Sequence, residues 1–175
     1  MDFYAWGYGI WKDRYLNYNR FFDYNYAVVG TFKNCVNSGT VKNDKGCGNN
    51  SFVGGFIGYA TSSTSLRHWI NCENKGVVYG GGNVPGSCRV GGFVGGTYAK
   101  LQFTSCTNSG AVTSCTTIKD DDDGKSLVAG FIGDNENANG KVTFVAADEA
   151  AGIKPCKNTG TITLTGTLNQ YGRVS

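Results

Sequence analysis

The sequence predicts an all-β chain wound as a parallel β-solenoid of about three coils. Two observations carry this reading. A ten-residue frame occurs four times, as Phe32-Lys-Asn-Cys-Val-Asn-Ser-Gly-Thr-Val41 and again over 69–78, 103–112 and 153–162. Each copy holds a large apolar residue, then Cys, Asn, Gly and Val or Ile at fixed offsets. A second motif alternates with it: Val53-Gly-Gly-Phe-Ile-Gly58, Val90-Gly-Gly-Phe-Val-Gly95 and Val128-Ala-Gly-Phe-Ile-Gly133. A fixed self-similar period is the signature of stacked repeat architectures. Phe56, Phe93 and Phe131 are 37 and 38 residues apart, and Cys35, Cys72 and Cys106 are 37 and 34 apart. The step from Cys106 to Cys156 is 50, so the last unit carries insertions, one at Lys119–Lys125 and one within Asp134–Gly152.

In chain order, residues 1–27 form an aromatic-rich N-terminal arm and residues 28–175 the repeat domain. Eleven of the first 26 residues are aromatic. Tyr4, Trp6, Tyr8 and Ile10 alternate as in a strand, whereas Trp11, Tyr15, Tyr18 and Phe22 recur at helical spacing. The expectation is a strand, an irregular or helical middle, and a second strand. From Val28 onward, short runs of Val, Ile, Phe and Thr bounded by Gly, Asn, Asp and Ser read as strands. Each unit offers three, in the second unit Ser51–Ala60, Ser65–Cys72 and Gly76–Tyr79. Lys42–Asn50, Gly80–Ser87 and Thr116–Lys125 read as loops.

Stacking such units puts Phe56, Phe93 and Phe131 in one column and Val41, Val78, Val112 and Ile162 in another. Neighbouring strands then lie ~4.8 Å apart. Asn37, Asn74, Asn108 and Asn158 fall at one corner, where Asn tolerates left-handed backbone and its amide can bond along the stack. Gly39, Gly76, Gly110 and Gly160 follow, where a bend calls for positive φ. Gly55, Gly92 and Gly130 keep a strand close to a neighbouring backbone. The alternative is an antiparallel β-sandwich, but hairpins do not require corner residues to recur in register.

Composition narrows the function classes. The chain has 175 residues, 27 Gly, 2 Pro and a formal charge of +3, with 17% charged residues, below the roughly 25% average. Lys and Arg are scattered, so no electrostatic footprint for nucleic acid is present. No apolar run reaches the ~20 residues of a membrane span. Met1 is followed by aromatics without a charged n-region and apolar h-region, so the expectation is a processed piece or a chain not secreted classically.

There are seven cysteines, one histidine and no CxxC, which argues against metal ligation and leaves no cofactor expected. An oxidising compartment with disulfides Cys35–Cys47, Cys72–Cys88 and Cys106–Cys115 is the expectation, with Cys156 left over. The competing reading is a ladder of reduced, buried cysteines.

No catalytic residue is expected. His68 would have to be the base of a hydrolase triad, and nothing resembling a nucleophile elbow accompanies it. Asp120–Asp123 could offer oxygen ligands to calcium, but an EF-hand-like loop fails at its first and last ligand positions, where Lys119 and Gly130 stand, and a solvated loop is the expectation. Gly91-Gly92-x-x-Gly95 is repeat scaffold, since no Lys-Ser/Thr follows. Asn49-Asn50-Ser51 is a glycosylation sequon at Asn49.

The arm has three readings: a core cap on one end of the solenoid, a joint between subunits, or a sugar platform built on Trp6 and Trp11. The C-terminal run Thr161–Leu168 alternates and carries no charge, so its edge is a template for another chain. The self-association surface expected from these two features comprises Tyr4, Trp6, Tyr8, Trp11, Tyr15, Tyr18 and Phe22 from the arm with Ile162, Leu164 and Leu168 from the C-terminal end.

Taken together, the alternation of Val-Gly-Gly-Phe-Val-Gly with Cys-x-Asn-x-Gly-x-Val over roughly residues 28–165 resembles the GLUG-type repeats of bacterial and protist surface proteins. It departs from them at Phe56, Phe93 and Phe131, where Leu, Ile or Ala is more usual. The resemblance implies an extracellular, adhesin-like or structural segment and brings no catalytic residue with it. The expected function is therefore a non-enzymatic structural or adhesive protein of the cell surface, associating with copies of itself head-to-tail into a filament or layer. The alternative is a carbohydrate-binding module that uses the N-terminal aromatics on extracellular glycans. No nucleic-acid partner and no membrane insertion are expected.

Overall fold

Each coil lays down short strands that pair with their counterparts in the coils above and below. The computed structural model describes residues 18–19, 30–43, 51–60, 66–85, 88–117, 126–136, 142–166 and 173–174. The first coil contributes β1 (Tyr18–Asn19), β2 (Gly30–Lys33), β3 (Val36–Asn37) and β4 (Val41–Asn43). The second has β5 (Ser51–Gly54), β6 (Ile57–Ala60), β7 (Leu66–Ile70), β8 (Glu73–Asn74) and β9 (Val78–Pro85). The third has β10 (Cys88–Gly91), β11 (Val94–Thr97), β12 (Lys100–Thr104), β13 (Thr107–Asn108) and β14 (Val112–Thr117). The fourth has β15 (Leu127–Ala129), β16 (Ile132–Asn135), β17 (Val142–Phe144), β18 (Lys157–Asn158) and β19 (Ile162–Thr165), and β20 (Arg173–Val174) follows.

Five sheets result. Sheet I is β1-β5-β10-β15-β20, sheet II β6-β11-β16, sheet III β2-β7-β12-β17, sheet IV β3-β8-β13-β18 and sheet V β4-β9-β14-β19. Every pairing between these strands is parallel. The fold is a parallel β-solenoid with three complete five-strand coils. It is not a sandwich: among the described residues the one antiparallel contact is the isolated bridge Asp148–Ile153, inside the insertion between β17 and β18.

The expected columns form. Val41, Val78, Val112 and Ile162 are successive partners. Phe93 stacks between Phe56 at 5.0 Å and Phe131 at 4.9 Å. Phe32, Trp69, Phe103 and Phe144 make a second ring column at 5.0, 5.0 and 5.3 Å. Stacking like side chains in register buries the faces that a single unit leaves open, which is how units that cannot bury a core alone become stable together.

The expected single strand Ser51–Ala60 is two strands, because the chain bends at Gly55-Phe56. A methyl at Gly54 would lie 2.1 Å from the Ile57 carbonyl oxygen and 2.9 Å from that of Phe93. Only glycine permits so tight an approach, and sheets I and II fold back until Phe52 meets Tyr59 at 4.5 Å. The bend divides the interior in two. One core, with Ile57, Val94, Trp69, Leu101 and Phe103, is lined by sheets II and III. The other, with Val53, Val90 and Val128 against Val78 and Val112, lies between sheets I and V.

Other local expectations change. Gly80–Pro85, expected as loop, continues β9, and Thr116–Thr117 belong to β14. A methyl at Gly81 would meet the Cys115 carbonyl oxygen at 1.9 Å, so the close approach there is bought by glycine and the strand runs on. Positive φ falls on Asn34, Asn71 and Ser105, at 56°, 57° and 53°, and not on the frame's Asn37, Asn74 or Asn108 or on its glycines. The left-handed turn precedes the Cys, where a short polar residue can adopt it. The frame asparagines sit in β3, β8, β13 and β18. Their glycines are required by closeness: a methyl at Gly76, Gly110 or Gly160 would come within 1.9–2.0 Å of the carbonyl oxygen of the glycine one coil earlier.

The arm is not wholly separate from the repeat domain. Its Tyr18–Asn19 pairs with Phe52–Val53 as the first strand of sheet I.

Candidate self-association surface

The asparagine column separates the two cores, and its hydrogen bonds run one way. Asn37 Nδ2 donates to Asn74 Oδ1 at 2.7 Å, Asn74 Nδ2 to Asn108 Oδ1 at 2.7 Å, and Asn108 Nδ2 to Asn158 Oδ1 at 2.6 Å. Asn74, Asn108 and Asn158 each give their second N–H to the carbonyl two residues on, at Gly76, Gly110 and Gly160. That carbonyl accepts only a donor, so it fixes which way each amide faces and gives the column its polarity. Gly55, Gly92 and Gly130 press against the amides: an added methyl would lie 2.6–2.7 Å from Asn74, Asn108 and Asn158.

At the C-terminal end the columns stop with their last members uncovered. Phe144 is 48% exposed while Phe103 beneath it is wholly buried. Asn158 is exposed above the buried Asn108, and Phe131, Ile162 and Leu164 are half-buried above or beside buried neighbours. Sheet I differs, because β20 pairs with β15 and Val128 below it is buried. The C-terminal edge thus has a covered sheet I beside sheets II, III, IV and V, whose top strands have no further strand among the described residues.

Of the residues expected to self-associate, Ile162 and Leu164 lie on this edge in β19 and pack against the second core. Tyr18 lies in β1 at the opposite end. Tyr4, Trp6, Tyr8, Trp11, Tyr15, Phe22 and Leu168 lie outside the described residues, as do Cys47, the sequon residue Asn49 and Asp120–Asp123.

The cysteines do not form the expected cross-links. Cys35, Cys72, Cys106, Cys115 and Cys156 are thiols. Cys72–Cys88 fails because Cys72 belongs to the first core and Cys88 to the second. Cys106–Cys115 fails because Cys106 is buried in the first core while Cys115 lies in β14 of sheet V. Cys35, expected to pair with Cys47, instead packs against the first core at the foot of a thiol column with Cys72, Cys106 and Cys156.

Along this column burial raises Cys35. Cys106 is pushed up, chiefly by its hydrogen bond to Cys156, and Cys156 is lowered to about 6 by the same bond. Cys72 is also drawn down, to about 7, by Cys106. The Cys106 thiol lies 3.4 Å from the Thr104 carbonyl oxygen, and Cys156 Sγ accepts the Cys106 backbone N–H at 3.3 Å. Of the four thiols Cys156 is held lowest, and it is half-buried where Cys72 is buried. The sulfurs are strung along the stack and do not surround a point. Among the described residues no three His, Cys, Asp or Glu side chains converge as metal ligands.

One constellation of charges was not legible in the sequence. In the fold between sheets I and II, Arg89 Nε meets Asp134 Oδ2 at 2.7 Å and Glu136 Oε1 at 3.7 Å. Tyr59 donates its hydroxyl to Glu136 Oε2 at 2.6 Å, and the guanidinium lies over the Phe52 ring. The cluster joins three successive coils, with one guanidinium shared between two carboxylates and the Tyr59 hydroxyl bonded to the second, which suits a clamp. His68 lies in β7 of sheet III, 2.8 Å from Thr104 Oγ1 in the next coil.

No protein-family model, curated protein or solved structure matches the chain. The functional reading rests on the fold, its ladders and the uncovered end of the stack.

Proposed function

We propose that this chain is a non-enzymatic structural or adhesive repeat protein that associates with copies of itself head-to-tail. The observation that carries the reading is the C-terminal end: apolar and amide columns buried in the inner coils finish in exposed or half-buried members, beside strands that pair with no further strand among the described residues. Such an edge is a template for strand addition unless covered. A contact between two different ends of one molecule is heterologous and propagates into a filament unless its rotation closes a ring.

The aromatic arm is the second half of the proposal. A buried aromatic side chain removes ~150–250 Å² from water. Half of the arm's aromatics would approach the ~800 Å² per partner of a standard stable interface. The cell-surface setting is proposed on the GLUG-type resemblance, the low charge content and the Asn49 sequon; the thiols at Cys72 and Cys106 withdraw the support that disulfides would have lent.

The experiment is deletion of residues 1–26. The truncated chain is expected to keep its β-sheet circular dichroism and to lose the filaments seen by negative-stain electron microscopy for the full chain. Filaments persisting after truncation would remove the arm from the joint, and loss of the fold would make it ordinary core.

A further inference from the structure

The two ends of the thiol column differ in chemistry. Cys72 and Cys106 are buried in its middle, and Cys35 and Cys156 are half-buried at its ends. Only one end combines access with a thiolate. Burial raises Cys35, and the lowered thiol beside it, Cys72, is 1% exposed. At the other end Cys156 is half-buried and is itself the lowered group, at about 6, chiefly through Cys106. A reachable thiolate next to a second thiol is the arrangement in which a peroxide oxidises one cysteine and the other resolves it.

The backbone holds that second thiol in range. Cys106 and Cys156 directly precede β13 and β18, in which Thr107 pairs with Lys157 and Asn108 with Asn158. The Lys157 N–H donates to the Cys106 carbonyl at 3.0 Å, and the Cys106 N–H donates to Cys156 Sγ at 3.3 Å. The Cys156 sulfur is therefore turned down the stack onto Cys106. Neighbouring strands lie ~4.8 Å apart, inside the roughly 4.4–6.8 Å of Cα separation that a disulfide spans. Cys88 enters the second core and Cys115 lies in sheet V, so neither competes with Cys106 for this sulfur.

The same junction is where the last coil is least directly tied. β12 and β13 are joined by Ser105-Cys106 alone, whereas β17 and β18 are joined by the whole of 145–156. Most of that insertion is exposed. Beside Cys156 it meets the third coil through the Lys154 N–H on Ser105 Oγ at 2.9 Å.

From this juxtaposition we infer that Cys156 is a peroxide-oxidised cysteine with Cys106 as its resolving partner, and that their disulfide fastens the last coil to the third. The Cys156 sulfur attacks one peroxide oxygen. An S–O bond forms, the O–O bond breaks, and the departing oxygen leaves as hydroxide. Cys156 becomes a sulfenic acid, oxidised by the electron pair that reduces the peroxide. Its thiolate is the largest of the influences that hold Cys106 protonated, and oxidation removes it. The Cys106 sulfur then attacks the Cys156 sulfur. The S–S bond forms, the S–O bond breaks, and the hydroxyl leaves as water with the Cys106 proton.

The test treats the reduced full chain with equimolar hydrogen peroxide, blocks the remaining thiols with N-ethylmaleimide and maps peptides without reduction. The expected product is a Cys106–Cys156 cross-link. The cross-linked chain should melt about 4–16 °C above the reduced one, the scale of a disulfide that closes a long loop, and dithiothreitol should reverse the shift. Cys106→Ala is expected to stop at the Cys156 sulfenic acid, trapped as its dimedone adduct. Should Cys106→Ala fail to fold, Cys156→Ser leaves the buried thiols in place and is expected to yield no cross-link at Cys106. Cys156 left reduced while another thiol is oxidised would overturn the assignment. So would an unsubstituted chain in which Cys156 is oxidised and Cys106 stays a thiol. A cross-linked chain that melts with the reduced one would overturn the fastening of the last coil.

Discussion

Truncating the buried amide at Asn74 should cost several times more than truncating the same side chain at the end of its column. Asn74 is wholly buried and makes three side-chain hydrogen bonds, accepting from Asn37 at 2.7 Å and donating to Asn108 at 2.7 Å and to Gly76 at 3.1 Å. Asn74→Ala strands one donor and two acceptors between two apolar cores. Each buried orphan costs ~1–3 kcal/mol, and a water entering the amide-sized space would recover part of that. The expected loss is ~3–5 kcal/mol, a large share of the ~5–15 kcal/mol that holds a typical domain. Asn158→Ala removes an exposed amide whose former partners can reach water, and should cost only ~0.5–1.5 kcal/mol. The assay is urea denaturation of both variants, followed in parallel by far-UV circular dichroism and intrinsic fluorescence. Coincident transitions are needed before ΔG is compared, because stacked coils can unfold in steps. Equal losses for Asn74→Ala and Asn158→Ala would refute the claim that the column is a buried, polarised chain of amides.

Phe93→Ala, which empties a wholly buried site between two stacked rings, should cost ~3–5 kcal/mol; a loss under ~1 kcal/mol in the same titration would show that the ring column is not core. Phe144→Ala, at the exposed end of the other ring column, should cost less than half as much. Cys156 should be alkylated first by iodoacetamide at pH 7, and its rate should fall as the pH drops through about 6 and its thiolate is protonated. The buried Cys72 and Cys106 should react only on unfolding; peptide mapping that found Cys106 labelled before Cys156 would contradict that order.

The sequence by itself determined which residues are equivalent from coil to coil. Its period placed Val41, Val78, Val112 and Ile162, the three ladder phenylalanines and the four frame asparagines in common columns, and parallel stacking follows from that equivalence. It did not determine the cross-section of a coil. The bend at Gly55-Phe56, the division into two cores and the meeting of Phe52 with Tyr59 depend on how closely two backbones approach, and a linear spacing carries no record of that. The cysteines show the same limit. Their recurrence was legible, but whether Cys72 faces Cys88 or Cys106 depends on which core each enters, and the tertiary structure sends Cys72 and Cys88 to different ones. Arg89, Asp134 and Glu136 occupy no shared repeat position, so only the folding of sheet I onto sheet II brings them together. Gly39 belongs to both accounts: the repeat identifies it as a frame glycine, and only the coordinates reveal that no described neighbour requires it to be one.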